Sequence, residues 1–142
     1  MGDFNMIING TVEYNNNGEL TEKKICVDTG SKTIENDEYI YDAVSFALYG
    51  KTIYHNIVSS DTGVPLIILR VECKGKSAYL VRQPQYYRET HFGTRYLSKE
   101  VFSIKTETEE HEALSSEAYY KLLDKYIDMS FNEFSDYTRR DQ

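Results

Sequence analysis

The segment from residue 81 to residue 96, VRQPQYYRETHFGTRY, concentrates side chains that can bind anions and flat ligands. Guanidinium groups bind carboxylates and phosphates through paired hydrogen bonds, and aromatic rings stack on bases or fill pockets in proteins. Pro84 and Gly93 disfavour regular structure, so residues 82–96 are predicted to form a long loop, a kind of segment that often carries function. The candidate binding residues are Arg82, Tyr86, Tyr87, Arg88, His91, Arg95 and Tyr96.

Positive charge is concentrated around the same segment. Residues 70–105 hold eight Lys or Arg against three Glu, a local balance of +5, whereas the whole chain has a formal net charge of −7. An acidic protein is not expected to wrap a nucleic-acid backbone with its whole surface. The charge asymmetry therefore favours a local contact with an acidic partner or an anionic ligand.

A different chemistry is suggested by Asp28, Thr29 and Gly30, which follow the apolar residues of ICV. The stretch ICVDTGS resembles the catalytic loop of retroviral-type aspartic proteases, in which two carboxylates share a proton. The resemblance implies an almost entirely β fold and a dimeric enzyme with Asp28 as its catalytic carboxylate. However, residues 37–49 have a helical pattern where that family has a Gly-rich flap, and Leu69 stands where its later motif has Gly. Asp-Thr-Gly is also a common turn sequence, so protease activity ranks third among the hypotheses.

No other catalytic or cofactor motif is found. The chain has no Gly-rich phosphate loop, and its His residues at 55, 91 and 111 do not lie at metal-ligand spacing. Cys26 and Cys73 have no CxxC partner and are expected to be buried, reduced thiols. The sequence therefore predicts neither a metal nor a cofactor, and an enzyme is the less favoured reading.

The bulk properties are typical of a folded protein. The length of 142 residues predicts one domain, residues 1–142. No apolar run approaches the roughly 20 residues needed to span a bilayer. The acidic start also lacks the positive charge of a secretory signal, so a cytoplasmic protein without a membrane partner is expected.

Two strands and a helix are predicted in the first third of the chain. IINGTVEY and LTEKKICVD flank the turn-forming residues 15–18 and predict a β-hairpin. Residues 37–49 predict an amphipathic helix with Asn36 as N-cap and Gly50 as its end. Its apolar positions recur at helical spacing: Ile40, Ala43, Val44, Ala47 and Leu48.

The remaining chain predicts four strands and two helices. The strands are KTIYHNIVSS at residues 51–60, PLIILRVEC, SAYLVR, and RYLSKEVFSIK with a bend. A helical stripe runs from Ala118 to Ile127, and Ser130 with Glu133 forms a capping box that opens a last helix. The order ββαββββαα predicts an α+β fold: a mostly antiparallel sheet of about six strands with helices on one face.

These observations favour a small cytosolic, non-enzymatic binding protein that engages a partner through the loop 82–96. Its composition is similar to that of inhibitors from phages and mobile elements, or of immunity proteins, so an inhibitor or antagonist role is expected. A protein partner is favoured over an anionic small ligand. The alternative is a nucleotide or nucleic-acid binder, or a phosphodiester-cleaving enzyme that uses His91 with Arg88 or Arg95.

Overall fold

A computed structural model describes residues 5–30, 37–59, 61–108, 110–111 and 115–139, with the backbone alone at 88–90 and 94–97. Its helices are α1 (Glu38–Tyr49), α2 (Ser116–Leu123) and α3 (Phe131–Thr138). Its strands are β1 (Ile7–Asn16), β2 (Glu19–Asp28), β3 (Val64–Cys73), β4 (Lys76–Gln83), β5 (Tyr86–Thr90), β6 (Gly93–Ser98), β7 (Val101–Lys105) and β8 (Glu110–His111).

Six of these strands form one antiparallel sheet in the order β2-β1-β3-β4-β7-β8. The α+β class, the six-stranded antiparallel sheet, the helix after the second strand and the C-terminal helices confirm the prediction. Strands β5 and β6 pair only with each other in the described chain and form a separate two-stranded sheet.

The β1–β2 hairpin turns at Asn17 and Gly18, as predicted. Both residues have positive φ, 56° and 93°, which matches the right-handed twist of two strands joined by a two-residue turn. The amide of Gly18 also donates to Asn15 Oδ1 at 2.8 Å. This turn fixes the register in which Asn16 lies opposite Glu19.

The sheet buries one face against the three helices. Ile8 and Val12 of β1 are fully buried, as is Met6 just before the strand, whereas the alternate residue Ile7 is 39% exposed. All five residues of the stripe predicted for α1 are buried, and Gly50 ends the helix with a φ of 81°. The N-cap prediction was one residue early, because Asp37 Oδ1 accepts the Tyr39 amide; Asn36 lies outside the described residues.

Tyrosine hydroxyls join the helices to each other and to the sheet. Tyr119 is fully buried and donates to the Ala47 carbonyl of α1 at 2.9 Å. From α3, Tyr137 donates to the Asp28 carbonyl at 3.1 Å. The predicted Ser130 and Glu133 capping box is present. The stripe predicted through Ile127 is helical only to Tyr126, because a 3-10 turn (Asp124–Tyr126) follows α2.

Residues 51–59 do not form the strand that their alternating pattern predicts. Ser59 makes a single isolated bridge with Gly63, and the rest is irregular. Three consecutive amides, those of Ile53, Tyr54 and His55, instead donate to the carboxylate of Asp42 at 2.7–2.8 Å. Because a buried carboxylate needs several donors, Asp42 takes the amides that a sheet ladder would have used.

The two cysteines differ in environment. Cys73 is buried as expected, but the prediction for Cys26 was wrong: its strand lies at the edge of the sheet and the side chain is exposed. Burial raises the pKa of the Cys73 thiol, and the nearby Asp128 carboxylate raises it further. Both effects keep Cys73 protonated near neutral pH.

Thiol labelling should separate the two cysteines. At neutral pH Cys26 should react quickly with a chromogenic disulfide reagent, because its side chain is exposed. Cys73 should react only when the fold opens. Cys26→Ser should remove the fast phase and leave the slow one; two fast phases would show that Cys73 is accessible in the native state.

Replacing Asp42 tests whether its carboxylate holds residues 53–55. Asp42→Ala leaves three amides without their acceptor and should lower the free energy of unfolding by about 3–5 kcal/mol. Chemical denaturation measures the change. Glu107→Ala, at an exposed carboxylate, is the control and should change stability by less than about 0.5 kcal/mol. Equal effects of the two substitutions would contradict the anchoring role.

Candidate binding surface

The predicted loop 82–96 is mostly a β-hairpin. Arg82 and Gln83 end β4, and the chain continues through β5, a turn at His91 and Phe92, and β6. The prediction of irregular structure was wrong because both residues that suggested it lie at breaks. Pro84 falls between two strands, and Gly93 has a φ of 113° at the turn.

The β5–β6 hairpin extends the β4–β7 pair beyond the point where these two strands end in the main sheet. Gln83 lies opposite Val101, and Tyr86 lies opposite Ser98 after two linking residues on each side. The base is held in place, since Pro84 is buried and its carbonyl accepts the Ser98 hydroxyl at 2.8 Å. The hairpin is therefore anchored at its base.

Aromatic side chains are exposed along this hairpin. Phe92 at the turn is fully exposed (101%), Tyr87 is 53% exposed, and Tyr86 is half-buried. Single exposed apolar side chains are common in folded proteins, but several that lie together mark contact sites more often. The hairpin thus exposes aromatic side chains both in β5 and at its tip.

The backbone register brings two arginine positions together. Residues 88 and 95 are direct partners in the β5–β6 ladder, and residue 87 is the partner of residue 96. The side chains of Arg88, Arg95 and Tyr96 lie outside the described part of the structure. Like charges at directly opposite ladder positions are unfavourable unless an anion or a carboxylate lies nearby.

Arg82 differs from the other candidate binding residues because it is only 4% exposed. Its guanidinium carbon lies 3.9 Å from the ring centroid of Phe102 and 4.5 Å from that of Phe46. The cation is thus held between aromatic faces of β7 and α1, where the ring quadrupoles offset part of the cost of desolvation.

Every nitrogen of the Arg82 guanidinium also has an acceptor. Nε donates to the Tyr120 hydroxyl at 3.3 Å, Nη1 to the Gln83 carbonyl at 2.8 Å, and Nη2 to Glu100 Oε1 at 3.1 Å. Because these acceptors lie in β4, in the link just before β7 and in α2, Arg82 is bound within its own chain. We therefore place it in the support of the hairpin and not on its outer surface.

His91 is exposed at the turn between β5 and β6. Catalytic bases act on substrates held in water-excluded surroundings, and an exposed turn does not provide them. Among the described residues there is no group of three His, Cys, Asp or Glu that could hold a metal ion.

The Asp-Thr-Gly stretch at the end of β2 forms a turn. Asp28 Oδ1 accepts the Gly30 amide at 2.9 Å, and Thr29 Oγ1 accepts the Met6 amide at 2.9 Å. The first bond is a short-range contact that Asp commonly makes in turns. The α+β fold also differs from the all-β fold that the protease resemblance implies.

A polar cleft that the sequence did not reveal lies beside α1. It has a volume of about 450 Å³ and is lined by Tyr39, Thr52, Ile53, Tyr54, His55, Asn56, Ser59 and Asp61. His55 stacks on Tyr39 with ring centroids 4.3 Å apart, and its Nε2 lies 3.2 Å from Glu38 Oε1. The buried carboxylate of Asp42 holds residues 53–55 of this cleft in place. The available sequence signal for that contact was the position of Asp42 beside the apolar stripe of α1.

The chain matches no protein-family model, no curated protein and no solved structure. No helix in the described residues could cross a membrane, since the longest, α1, has 12 residues. The fold and the hairpin geometry are therefore the basis for a functional proposal.

Arg82→Lys should test the support of the hairpin. Lysine keeps the charge but cannot match the planar stacking and the three separate hydrogen bonds, so the free energy of unfolding should fall by about 2–4 kcal/mol. Thermal and chemical denaturation measure this loss. The control is Lys99→Ala at an exposed position, where little change is expected. A neutral Arg82→Lys would show that the buried guanidinium contributes nothing specific.

Proposed function

We propose that the protein is a non-enzymatic binding protein of the inhibitor or antagonist type, which engages a protein partner through the β5–β6 hairpin. The observation that supports this most is the exposure of Tyr87 and Phe92 on a hairpin outside the main sheet. Tyr87 is held in strand β5, and a ring on an ordered strand loses little conformational entropy when it enters a pocket.

The charge distribution suggests the chemistry of the partner. The hairpin lies within the segment 70–105, whose balance is +5, and the register places two arginine positions opposite each other. A partner with carboxylates around an apolar pocket would complement both the charges and the rings. In such an interface the aromatic residues supply affinity, and the arginines supply orientation and speed of association.

The anchored base supports the same proposal. Arg82 near the end of β4 pairs with Glu100, the residue just before β7, where the hairpin leaves the sheet; Nη2 and Oε1 are 3.1 Å apart. A binding element fixed in this way presents one conformation, so less of the interaction energy is spent on ordering it. Arg82 thus belongs to the proposed function as a positioning residue.

The experiment combines affinity capture by the full chain with matched substitutions. Tyr87→Ala and Phe92→Ala should each weaken binding of the captured partner by about tenfold or more. Tyr79→Ala is the control, because Tyr79 has the same exposed fraction as Tyr87, 53%, but lies on the main sheet. Equal losses for Tyr79 and Tyr87, or no loss at the hairpin, would contradict the proposal.

Charge reversal provides a second arm. Arg88→Glu with Arg95→Glu should slow association with an acidic partner, whereas Lys76→Glu at the opposite end of β4 should not. A nucleotide ligand would use the same groups, so a thermal-shift screen with mono-, di- and cyclic nucleotides is run in parallel. A rise in melting temperature that Arg88→Ala abolishes would favour the nucleotide alternative over a protein partner.

A further inference from the structure

Strand β2 forms one edge of the six-stranded sheet. Within the described chain its one strand neighbour is β1, and the long strand is exposed along much of its length. An unpaired edge offers backbone donors and acceptors to another strand. Proteins usually block such edges. The charges and apolar residues along β2 indicate which further strand could pair with it.

The hairpin register fixes which backbone groups of β2 point outward. In an antiparallel pair, directly opposite residues alternate between hydrogen-bonded and non-bonded pairs, and the pair that flanks a two-residue turn is bonded. The bonded pairs with β1 therefore contain the odd-numbered residues of β2, beginning with Glu19. Consistently, Thr29 donates its amide to the Met6 carbonyl at 3.0 Å, while the Asp28 carbonyl accepts from Tyr137.

Within the described part of the chain, the backbone groups of the edge that β1 does not use therefore belong to the even-numbered residues: Leu20, Glu22, Lys24 and Cys26. Two copies that pair antiparallel through these groups have a two-fold axis at one residue of β2. An axis at Glu22 places Glu22 opposite itself, and an axis at Lys24 places Lys24 opposite itself. An axis at Lys23 places Glu22 of each copy opposite Lys24 of the other.

We infer that β2 is a self-association surface, at which a second copy of this chain pairs antiparallel about Lys23. The two Glu22–Lys24 contacts are complementary in charge, and Leu20, which is 59% exposed, lies opposite Cys26 of the second copy. Opposite charges and apolar pairs at facing positions stabilise paired strands, whereas like charges destabilise them. Among these three registers, only the one about Lys23 places no like charges opposite each other at the even-numbered positions of β2.

Contacts within the chain favour the same arrangement. Glu22 lies opposite Glu13 of β1, an unfavourable pair that Lys24 of the second copy would offset. Because Lys23 lies on the axis, it would face Lys23 of the second copy. However, its Nζ lies 2.6 Å from Asp37 Oδ2, so a carboxylate already compensates this charge.

Charge exchange tests the register. Glu22→Lys and Lys24→Glu should each raise the dimer dissociation constant by about tenfold or more, because each creates two like-charge contacts. The variant with both changes exchanges the two charges and should restore dimerisation. Sedimentation velocity from low-micromolar to near-millimolar chain measures the association. Glu22→Lys also relieves the contact with Glu13, so lost dimerisation without lost stability separates the interface from folding.

Disulfide formation gives a readout independent of charge. Leu20→Cys should form a covalent dimer through Cys26 of the second copy, identified by mass spectrometry of non-reduced peptides. Thr21→Cys, on the opposite face of β2, and the unsubstituted chain are the controls and should not yield a cross-link at that pair. A monomer at the highest concentration would overturn the inference. So would a dimer indifferent to all charge changes or cross-linked in another register.

Discussion

The buried guanidinium of Arg82 is the interaction on which the arrangement of sheet, helices and hairpin depends. It lies between rings of α1 and β7, and its nitrogens donate to Tyr120 of α2, to the Gln83 carbonyl of β4 and to Glu100 just before β7. A buried cation is stable only when it is paired and hydrogen-bonded, so these contacts favour one relative position of the elements that supply them. The exposed hairpin is thus attached beside a buried cation that contacts α1, α2 and β7.

The fold was predictable where local chemistry and burial favour the same structure. The stripe of α1, the Asn-Gly turn and the Ser130 capping box each combine a periodic pattern with a specific end signal. Residues 51–59 have the alternation of a strand, but the acceptor for three of their amides is Asp42. This residue lies close in space but outside the alternating segment. Single-sequence patterns do not contain such a competing contact.

The candidate surface was predictable in composition but not in form. Arg and Tyr residues identified the segment, yet Pro84 and Gly93 were read as evidence against strands when they lie at strand breaks. Arg82 could not be distinguished from Arg88 by residue type. What distinguishes it is position: in β4 it alternates in phase with Ala78 and Leu80, which are buried. The exposure of Phe92 depends on where the hairpin leaves the sheet, and no local pattern encodes that point.

The strand order also has a consequence for how the chain folds. Strand β1 lies between β2 and β3 in the sheet. In the chain β2 follows β1 directly, whereas β3 comes only after α1 and the loop of residues 51–59. The first hairpin can form from nearby residues, but its inner edge stays open until Ile68 reaches Thr11. During synthesis β1 therefore cannot complete its pairing until β3 has been made. Helix α1, which lies between them in the chain, is available to cover the apolar face that both strands will share.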